Sequence, residues 1–441
     1  MDTRTADRFT TKYPLGGLID EGKTKKVYEI RNNKGMAVIA SKDDITAGDG
    51  AKHDVILGKG KFANQTTCNV FRLLKTCGIQ VAFEEQDSAT SFVAPRCKMI
   101  PNEVVVRREA HGSYLKRNPH LSKGQIFPRL RAEHFLKTKD RRWKKHKLVC
   151  DDPYMVYVSE GTTTNFHLFN PAKPIHGQEP FLVIPWTEVL SFDGEQNFFP
   201  EMRRLARETF LILEKAWQIL GYRLVDFKVE FGFDDDGKLL LADVIDNDSW
   251  RVLENGAYID KQVYRDGGSL DLVADNYKQV AELTGRFRLP NQRIILWRGS
   301  EKDNIDPFVN ALEKENLGHL PKVVTCSVHR EPVTAIDTLN RMLQEVPDSV
   351  IIAYVGMSNG AGPVLSAAST VPVIAVPANA KEFPEDVWSS LRTPSAVPVM
   401  TVLEPVNAVL AALNILSASN PLIYAKVRGE IEARLVNTIP V

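Results

Sequence analysis

The strongest restriction on the fold is a run of alternating segments beginning near residue 292. "RIILWRGS" is a continuous apolar strand, "NIDPFVNALEKENLG" reads as a helix ending at Gly318, "KVVTCSVHR" is a second strand and "EPVTAIDTLNRMLQEV" a second helix. Two more buried strands, "SVIIAYVG" and "VPVIAVPA", are separated by the helical "GPVLSAAS". Strands apolar on both faces need cover on both sides, which alternating helices supply, so the region predicts a doubly wound parallel sheet. The mostly helical tail "VNAVLAALNILSASNPLIYAKVRGEIEARL" is more apolar than one solvent-facing helix requires. Part of it reads as a subunit interface.

Before residue 285 the pattern is different: alternating strands and hairpins dominate, with helices at "KFANQTTCNVFRLLKTCG" and "FPEMRRLARETFLILEKAWQILG". This half predicts an α+β domain. The Gly- and Pro-bearing connection "TGRFRLPNQR" (284–293) is the natural boundary. It gives domains at 1–285 and 293–441 with a linker at 286–292, as a chain of 441 residues demands more than one core. A formal charge of +1 offers nothing to nucleic acid or a membrane surface, and the basic "KTKDRRWKKHK" (137–147) reads as a solvated loop or helix face. No segment approaches the length of a membrane span and the N-terminus lacks a signal-peptide apolar region. Five scattered cysteines without CxxC spacing fit reduced thiols in the cytosol.

Residues 17–24, "GLIDEGKT", match the Gly-x4-Gly-Lys-Thr pattern of a P-loop. Such a loop needs a buried strand before it and a helix starting at the Lys-Thr. The preceding "TADRFTTKYPL" is polar, and the following "KVYEI", "NNKG" and "MAVIA" read as a β-hairpin. Lys23 and Lys25 therefore stand at a strand entry, where a hairpin can still cover the phosphates of ATP.

In "RLVDFKVEFGFDDDGKLLLADVIDNDSWR" (223–251), alternation puts Asp226, Lys228 and Glu230 on one strand face and Val225, Phe227, Val229 and Phe231 on the other. "DDDG" is a hairpin turn, and the return strand brings Asp243 near the Lys228–Glu230 level, with Asp246, Asp248 and Arg251 just beyond. Carboxylates across a hairpin with a lysine between them suit Mg²⁺ and nucleotide phosphates; the alternative is an exposed hairpin with ordinary surface charges. The polar "SKDDITAGDGAKHDVILGKG" and the basic "EVVVRREAHGSYLKRNP", with Arg107, Arg108 and a Gly-Ser turn, ask for the same kind of anion. His53 and His111 have no partner at ligand spacing and read as structural. In the C-terminal half the strand ends carry "GSEKD", "SVHRE", "GMSNGAGP" and "PANA", where ligands of an open α/β sheet sit. His329 is the one histidine at such an end.

"EGKTKKVYE", "SKDDITAGD", "EVVVRREAHGSYLKRNP", "VDFKVEFG" and "LADVIDNDSWR", in this order, resemble phosphoribosylaminoimidazole-succinocarboxamide (SAICAR) synthetase of purine biosynthesis. The resemblance implies ATP contacts at Lys23 and Lys25, and Mg²⁺ ligation or phosphate organisation by Glu230 and Asp243. It implies that Arg107 and Ser113 hold the carboxylated aminoimidazole ribotide (CAIR). Asp226, Lys228, Asp248, Arg251 and Lys261 would surround substrate and phosphates, with Asp226 and Lys228 in the chemistry. The family activates a carboxylate as an acyl phosphate, which the amine of L-aspartate displaces. One stretch, "YVSEGTTTNFHLFNPAKPIHGQEPFLVIPW" (157–186), departs from the short connection of animal members.

"GSEKD", "SVHRE", "GMSNGAGPVLSAASTVPVIAVP" and "DVWSSLRTPSAVPVMTVL" resemble aminoimidazole ribotide (AIR) carboxylase, the preceding step, in its animal type that takes CO2 directly and needs no ATP. That resemblance implies a flavodoxin-like domain in which Ser358, with Asn359, Gly360 and neighbouring backbone N–H groups, holds CO2. His329 would handle the proton at the imidazole carbon, and Ser300, Asp303, Ser327 and Arg330 would bind the ribose phosphate. Two positions depart from the pattern: Lys302 replaces the second serine of Gly-Ser-x-Ser-Asp, and Met357 replaces an arginine before Ser-Asn-Gly. The whole chain thus resembles the bifunctional AIR carboxylase–SAICAR synthetase, which implies a homo-octamer, ATP and Mg²⁺, and no organic prosthetic group. Two alternatives stay open: an active ligase with a C-terminal assembly module, and a kinase-like phosphotransferase acting on another metabolite.

Overall fold

The structure is a computed structural model that describes residues 10–47, 52–160, 163–189 and 197–435; part of the polar 41–60 segment (48–51) and the last residues of the tail lie outside them. Contacts divide the chain into an N-terminal unit, residues 1–288 with 432–441, and a C-terminal unit, residues 289–431. No helix among the described residues is long and apolar enough to cross a membrane.

The N-terminal unit begins with β1 (Leu15–Glu21), β2 (Lys25–Ile30) and β3 (Asn33–Ser41), antiparallel neighbours, followed by α1 (Lys59–Thr76) and β4 (Ser91–Pro95), which pairs with β3. Gly22 to Thr24 form the β1–β2 turn, and Gly22 N–H donates to Lys25 O at 2.9 Å. No helix follows the Lys-Thr pair, so the P-loop match is accidental.

Helix α4 (Leu270–Thr284) packs against α1, and a nine-stranded sheet carries most of the rest of this unit among the described residues. Its strands are β5 (Lys98–Glu109), β6 (Ile126–Leu136), β7 (Tyr154–Glu160), β8 (Thr163–Phe169), β9 (Leu182–Pro185), β10 (Arg223–Phe233), β11 (Leu239–Ala242), β12 (Trp250–Glu254) and β13 (Ala257–Tyr258). They run β9-β8-β7-β6-β5-β10-β12-β13, with β11 paired to β10. β10 is central, and its Phe227, Val229 and Phe231 are buried. On that face lies α3 (Phe199–Ile219), whose Phe210 ring stands 5.4 Å from Phe227. The opposite face of β10 keeps Asp226, Lys228 and Glu230, as the period-2 pattern requires. The 157–186 stretch supplies most of the β7–β8 hairpin and β9, extending the sheet toward its edge.

The C-terminal unit has β14 (Arg293–Arg298), α5 (Asp306–Lys314), β15 (Pro321–Thr325), α6 (Pro332–Glu345), β16 (Ser349–Val355), α7 (Ala361–Ala367), β17 (Val373–Pro377), α8 (Val387–Leu391) and β18 (Met400–Thr401). It continues into α9 (Pro405–Leu416), and α10 (Pro421–Arg434) closes the chain's described part. All strand pairs are parallel, in the order β15-β14-β16-β17-β18. That is the 2-1-3-4-5 order of flavodoxin-like sheets, with its switch point between β14 and β16. Successive residues feed two cores: Ile294, Leu296, Val350 and Ile352 on one face, Ile295, Trp297, Ile351 and Ala353 on the other. Both faces are covered, which is why these strands are continuous apolar runs.

Candidate functional site

Register assembles the N-terminal site. Asp226 on β10 lies directly opposite Arg107 on β5 and Arg251 on β12, so three charged side chains stand in a row on one face. Arg107 Nη1 donates to Asp226 Oδ2 at 2.5 Å, and Arg251 Nη1 to the same oxygen at 2.7 Å. Arg107 Nε reaches Glu133 Oε2 at 2.7 Å, and Glu133 also takes Arg117 Nη2. Arg107, Arg117, Glu133 and Asp226 are all buried. Buried charges persist only when paired and hydrogen-bonded, and this set is. Glu133 carried no signal in the sequence, because only the β5–β6 pairing brings it beside Arg107, and Arg117 meets it from the short helix that follows β5.

This row forms one wall of a cavity of about 230 Å³, also lined by Ser113, Phe135, Lys228, Asp248 and Arg265. Ser113 opens the short helix α2 (Ser113–Arg117) after Gly112, whose φ is +57°. A Cβ on Gly112 would lie 2.3 Å from Arg251 Nη2, so the guanidinium occupies the place where any other residue's side chain begins. Lys228 Nζ donates to Glu103 Oε1 at 2.9 Å; burial works against its charge, and Glu103 more than restores it, raising the amine's pKa. Asp248 is held by Lys59 and Lys261, each at 3.4 Å, and by the Tyr277 hydroxyl. Burial opposes its charge, but the two lysines and Tyr277 outweigh that and keep the carboxyl well below the usual range. Burial and the neighbouring Asp248 charge push Asp246 up to about 6. Lys59 is 1 % exposed at the start of α1 and belongs to this cluster. A lysine inside "LGKGKF" looks like any other, so sequence reasoning passes over it.

Toward the β1–β3 hairpins, Glu230 is opposite Ala242, one residue before Asp243. Asp243 pairs with Lys25, and Glu230 takes both of its hydrogen bonds from Lys137 Nζ, at 2.7 and 2.8 Å. Burial lowers Lys25 to about 8, with Glu230 opposing. Lys23 is exposed in the turn. Lys137 begins the basic 137–147 stretch, so that stretch is not wholly a solvated face: its first residue neutralises a site carboxylate. His53 meets Asp44 at 2.8 Å, and His111 lies between the Tyr258 hydroxyl at 2.6 Å and Glu109 at 3.2 Å. Each imidazole thus has a hydrogen-bond partner from a neighbouring side chain.

In the C-terminal unit the strand ends converge as the topology predicts. Ser300 N–H donates to Asp303 Oδ2 at 2.9 Å after β14, and Lys302 N–H to Ser300 Oγ at 3.1 Å. After β15 come Ser327, His329 and Arg330, the last two exposed. After β16, Met357 is 59 % exposed and Ser358 adopts φ +62°. Ser358 N–H donates to Asp386 Oδ1 at 2.7 Å, Asn359 N–H to Ser389 Oγ at 2.9 Å, and Gly360 N–H to Ser358 O at 2.8 Å. As folded, these N–H groups are therefore taken by Asp386, Ser389 and the loop itself rather than standing open for CO2. Asp386 and Ser389, from "DVWSSLR", are the supports that sequence reasoning left without a role. A Cβ on Gly360 would fall 2.0 Å from His329 Nε2, so the imidazole lies directly against this glycine.

The chain is similar to two known families, each matching a different part of it. The SAICAR synthetase family model matches residues 18–152 and 184–283, and the AIR carboxylase family model matches 293–434. A bifunctional phosphoribosylaminoimidazole carboxylase/phosphoribosylaminoimidazole succinocarboxamide synthetase of Drosophila melanogaster is 36% identical, covering 94% of this chain and 92% of its own. The protein of the same name from Homo sapiens is 34% identical, covering 95% and 94%. A solved phosphoribosylaminoimidazole-succinocarboxamide synthase of Ehrlichia chaffeensis is 27% identical and covers 62% of this chain and 100% of its own, with a TM-score of 0.48.

Proposed function

The chain belongs to the bifunctional AIR carboxylase/SAICAR synthetase family, and from that premise we propose that it carries out both of these consecutive steps of purine biosynthesis, each in its own unit. The observation that carries the ligase assignment is the Arg107–Asp226–Arg251 row beside Ser113, Lys228 and Asp248 in one cavity. Arg107, Arg251 and Ser113 hold the phosphate and carboxylate of CAIR, as planar guanidinium donors suit both. Asp226 orients the two arginines. Lys228, Lys261 and Asp248 flank the reacting carboxylate, and Lys23 and Lys25 cover ATP. A carboxylate oxygen of CAIR attacks the γ-phosphorus and ADP leaves. The amine of L-aspartate then attacks the acyl carbon, phosphate departs and the nitrogen gives up a proton. Positioning and charge neutralisation are what this chemistry demands of the protein.

Glu230 and Asp243, neutralised as folded by Lys137 and Lys25, would hold Mg²⁺ in exchange for those lysines, as hard carboxylate oxygens suit this ion beside nucleotide phosphates. When bound there it neutralises charge on the transferring phosphoryl group.

In the C-terminal unit a bond forms between the imidazole carbon of AIR and CO2, and the proton from that carbon passes to His329. Ser358, Asn359 and Gly360 shape the CO2 side, while Ser300, Asp303, Ser327 and Arg330 take the ribose phosphate. Exposed Trp388, Leu391, Val406 and Leu410 support self-association, for which the family resemblance implies an octamer. The free cysteines support a reducing, cytosolic setting.

The test is a product assay on the full chain with AIR, bicarbonate, aspartate and MgATP. Succinocarboxamide product that is lost in His329→Ala, and restored by supplying CAIR, is the expected result. Product from the wild-type protein only when CAIR is supplied would reduce the C-terminal unit to a scaffold.

A further inference from the structure

Between the two segments matched to the SAICAR synthetase family lies a stretch, 153–183, that the ligase chemistry leaves without a task. Two of its residues reach the back of the cavity wall. Tyr154 starts β7 opposite Phe135, and their rings are 5.5 Å apart. Phe135 lines the cavity. Behind it the Arg117 guanidinium stands 5.0 Å from the Phe135 ring centre, 5.5 Å from Tyr154 and 5.8 Å from Tyr114. From the other end of the stretch, Ile175 N–H donates to the Arg117 carbonyl oxygen at 3.0 Å. Side chain and backbone of Arg117 are thus both held by 153–183.

Arg117 is 2 % exposed and gives Nη2 to both Glu133 oxygens, at 2.7 and 2.9 Å. Glu133 in turn takes Arg107 Nε at 2.7 Å. A carboxylate shared by two guanidiniums has its orientation set by both, so whatever fixes Arg117 also fixes the plane of Arg107. An arginine loses much rotamer freedom when ordered, and a cage of three rings imposes that order before substrate arrives. We infer that 153–183 is a positioning element of the ligase site: Tyr154 and Ile175 lock Arg117, which through Glu133 aims the Arg107 guanidinium at the ribotide. This rests on the proposed role of Arg107 toward CAIR.

The experiment uses the full chain and compares Tyr154→Leu with Tyr154→Phe, which keeps the ring. The expected result for Tyr154→Leu is a KM for CAIR raised about tenfold, the weight of a desolvated cation–π contact. The KM for ATP, the AIR carboxylation rate and the thermal midpoint stay near wild type, and Tyr154→Phe behaves as wild type. Equal KM values in all three proteins overturn the inference, as does a parallel fall in every constant together with the thermal midpoint. A second readout does not depend on turnover: hydrogen exchange at the Arg107 and Arg117 Nε–H groups followed by NMR. Faster exchange in Tyr154→Leu alone supports the positioning role, and unchanged exchange overturns it. Wild-type protein that does not turn over CAIR marks failure of the functional reading instead, and the exchange measurement still decides the inference.

Discussion

Two residues show how local surroundings convert into measurable behaviour. His134 on β6 is buried, its Nδ1 2.9 Å from Asn102 Oδ1 and its ring 5.9 Å from Phe199. Burial, with the Arg203 charge adding to it, lowers its pKa to about 3. Unfolded histidine titrates near 6.5, so between about 6.5 and 3 the unfolded chain binds a proton that the folded one refuses. Stability is full above that window and falls as pH drops through it, by on the order of a few kcal/mol. Asp260, raised to about 7 by burial, has the opposite sign, its contribution lost as pH rises toward 7. It is present in both proteins when wild type is compared with His134→Gln, so it cancels in the difference. Denaturant unfolding from pH 7 to pH 3 should show the stability gap between them closing as pH falls; a constant gap would remove His134 from the account. Gly360 makes the second case. An alanine Cβ there would sit 2.0 Å from His329 Nε2, and the ring, at the end of an exposed side chain, is what yields. Gly360→Ala should cut AIR carboxylation by about 100-fold, as displacement of a reacting group by roughly an ångström does, and leave the CAIR-dependent ligase rate intact.

At the scale of elements, some structure was legible and some was not, for physical reasons. The parallel strands could be read because both their faces are buried, and α1 and α3 because each presents one apolar stripe. The β1–β2 hairpin could be read against its P-loop pattern because "KVYEI" alternates. The placement of Asp226, Lys228 and Glu230 on one face followed from period 2 alone. Register did not: nothing local to "VVVRRE" says that Arg107 rather than Arg108 meets Asp226, or that Glu133 stands beside them. Arg108 points to the other face, to Glu214 at 2.6 Å. Lys59, Lys137 and Arg117 were missed for the same reason, since each acquires its role from a strand or helix distant in sequence. The hairpin itself yields a prediction. Lys25 is drawn against Asp243, whereas Lys23 stays exposed in the turn. Lys25→Ala should raise the KM for ATP by about tenfold, the scale of a lost charged hydrogen bond, and Lys23→Ala by less. Initial-rate kinetics with saturating CAIR and aspartate would measure both, and a larger effect at Lys23 would reverse the order of contacts.

At the scale of the molecule, the boundary near residue 288 does not separate two independent pieces of chain. The N-terminal unit takes in residues 432–441 as well as 1–288. Glu432, with 0 % exposure, explains why. Its carboxylate takes Arg108 Nη2 at 2.7 Å and Arg207 Nη2 at 2.9 Å, and accepts Leu130 N–H at 2.9 Å. Burial and the neighbouring Arg129 and Arg203 charges lower Arg207 to about 10 against the pull of Glu432. Removing that carboxylate would leave Arg207 among like charges with its compensation gone, while Arg108 keeps Glu214. Breaking a buried pair from one side costs about 3–5 kcal/mol, because the surviving charge stays desolvated. Glu432→Gln keeps the shape and removes the charge, so the N-terminal unit should unfold earlier in denaturant while the parallel-sheet unit holds. Following CAIR-dependent ligase activity and AIR carboxylation through one urea titration separates the two: the ligase midpoint should fall below that of wild type and the carboxylase midpoint should not move. A protein ending at residue 288 should show the same loss of ligase stability, and one as stable as the full chain would mean that Glu432 is a passenger in the fold.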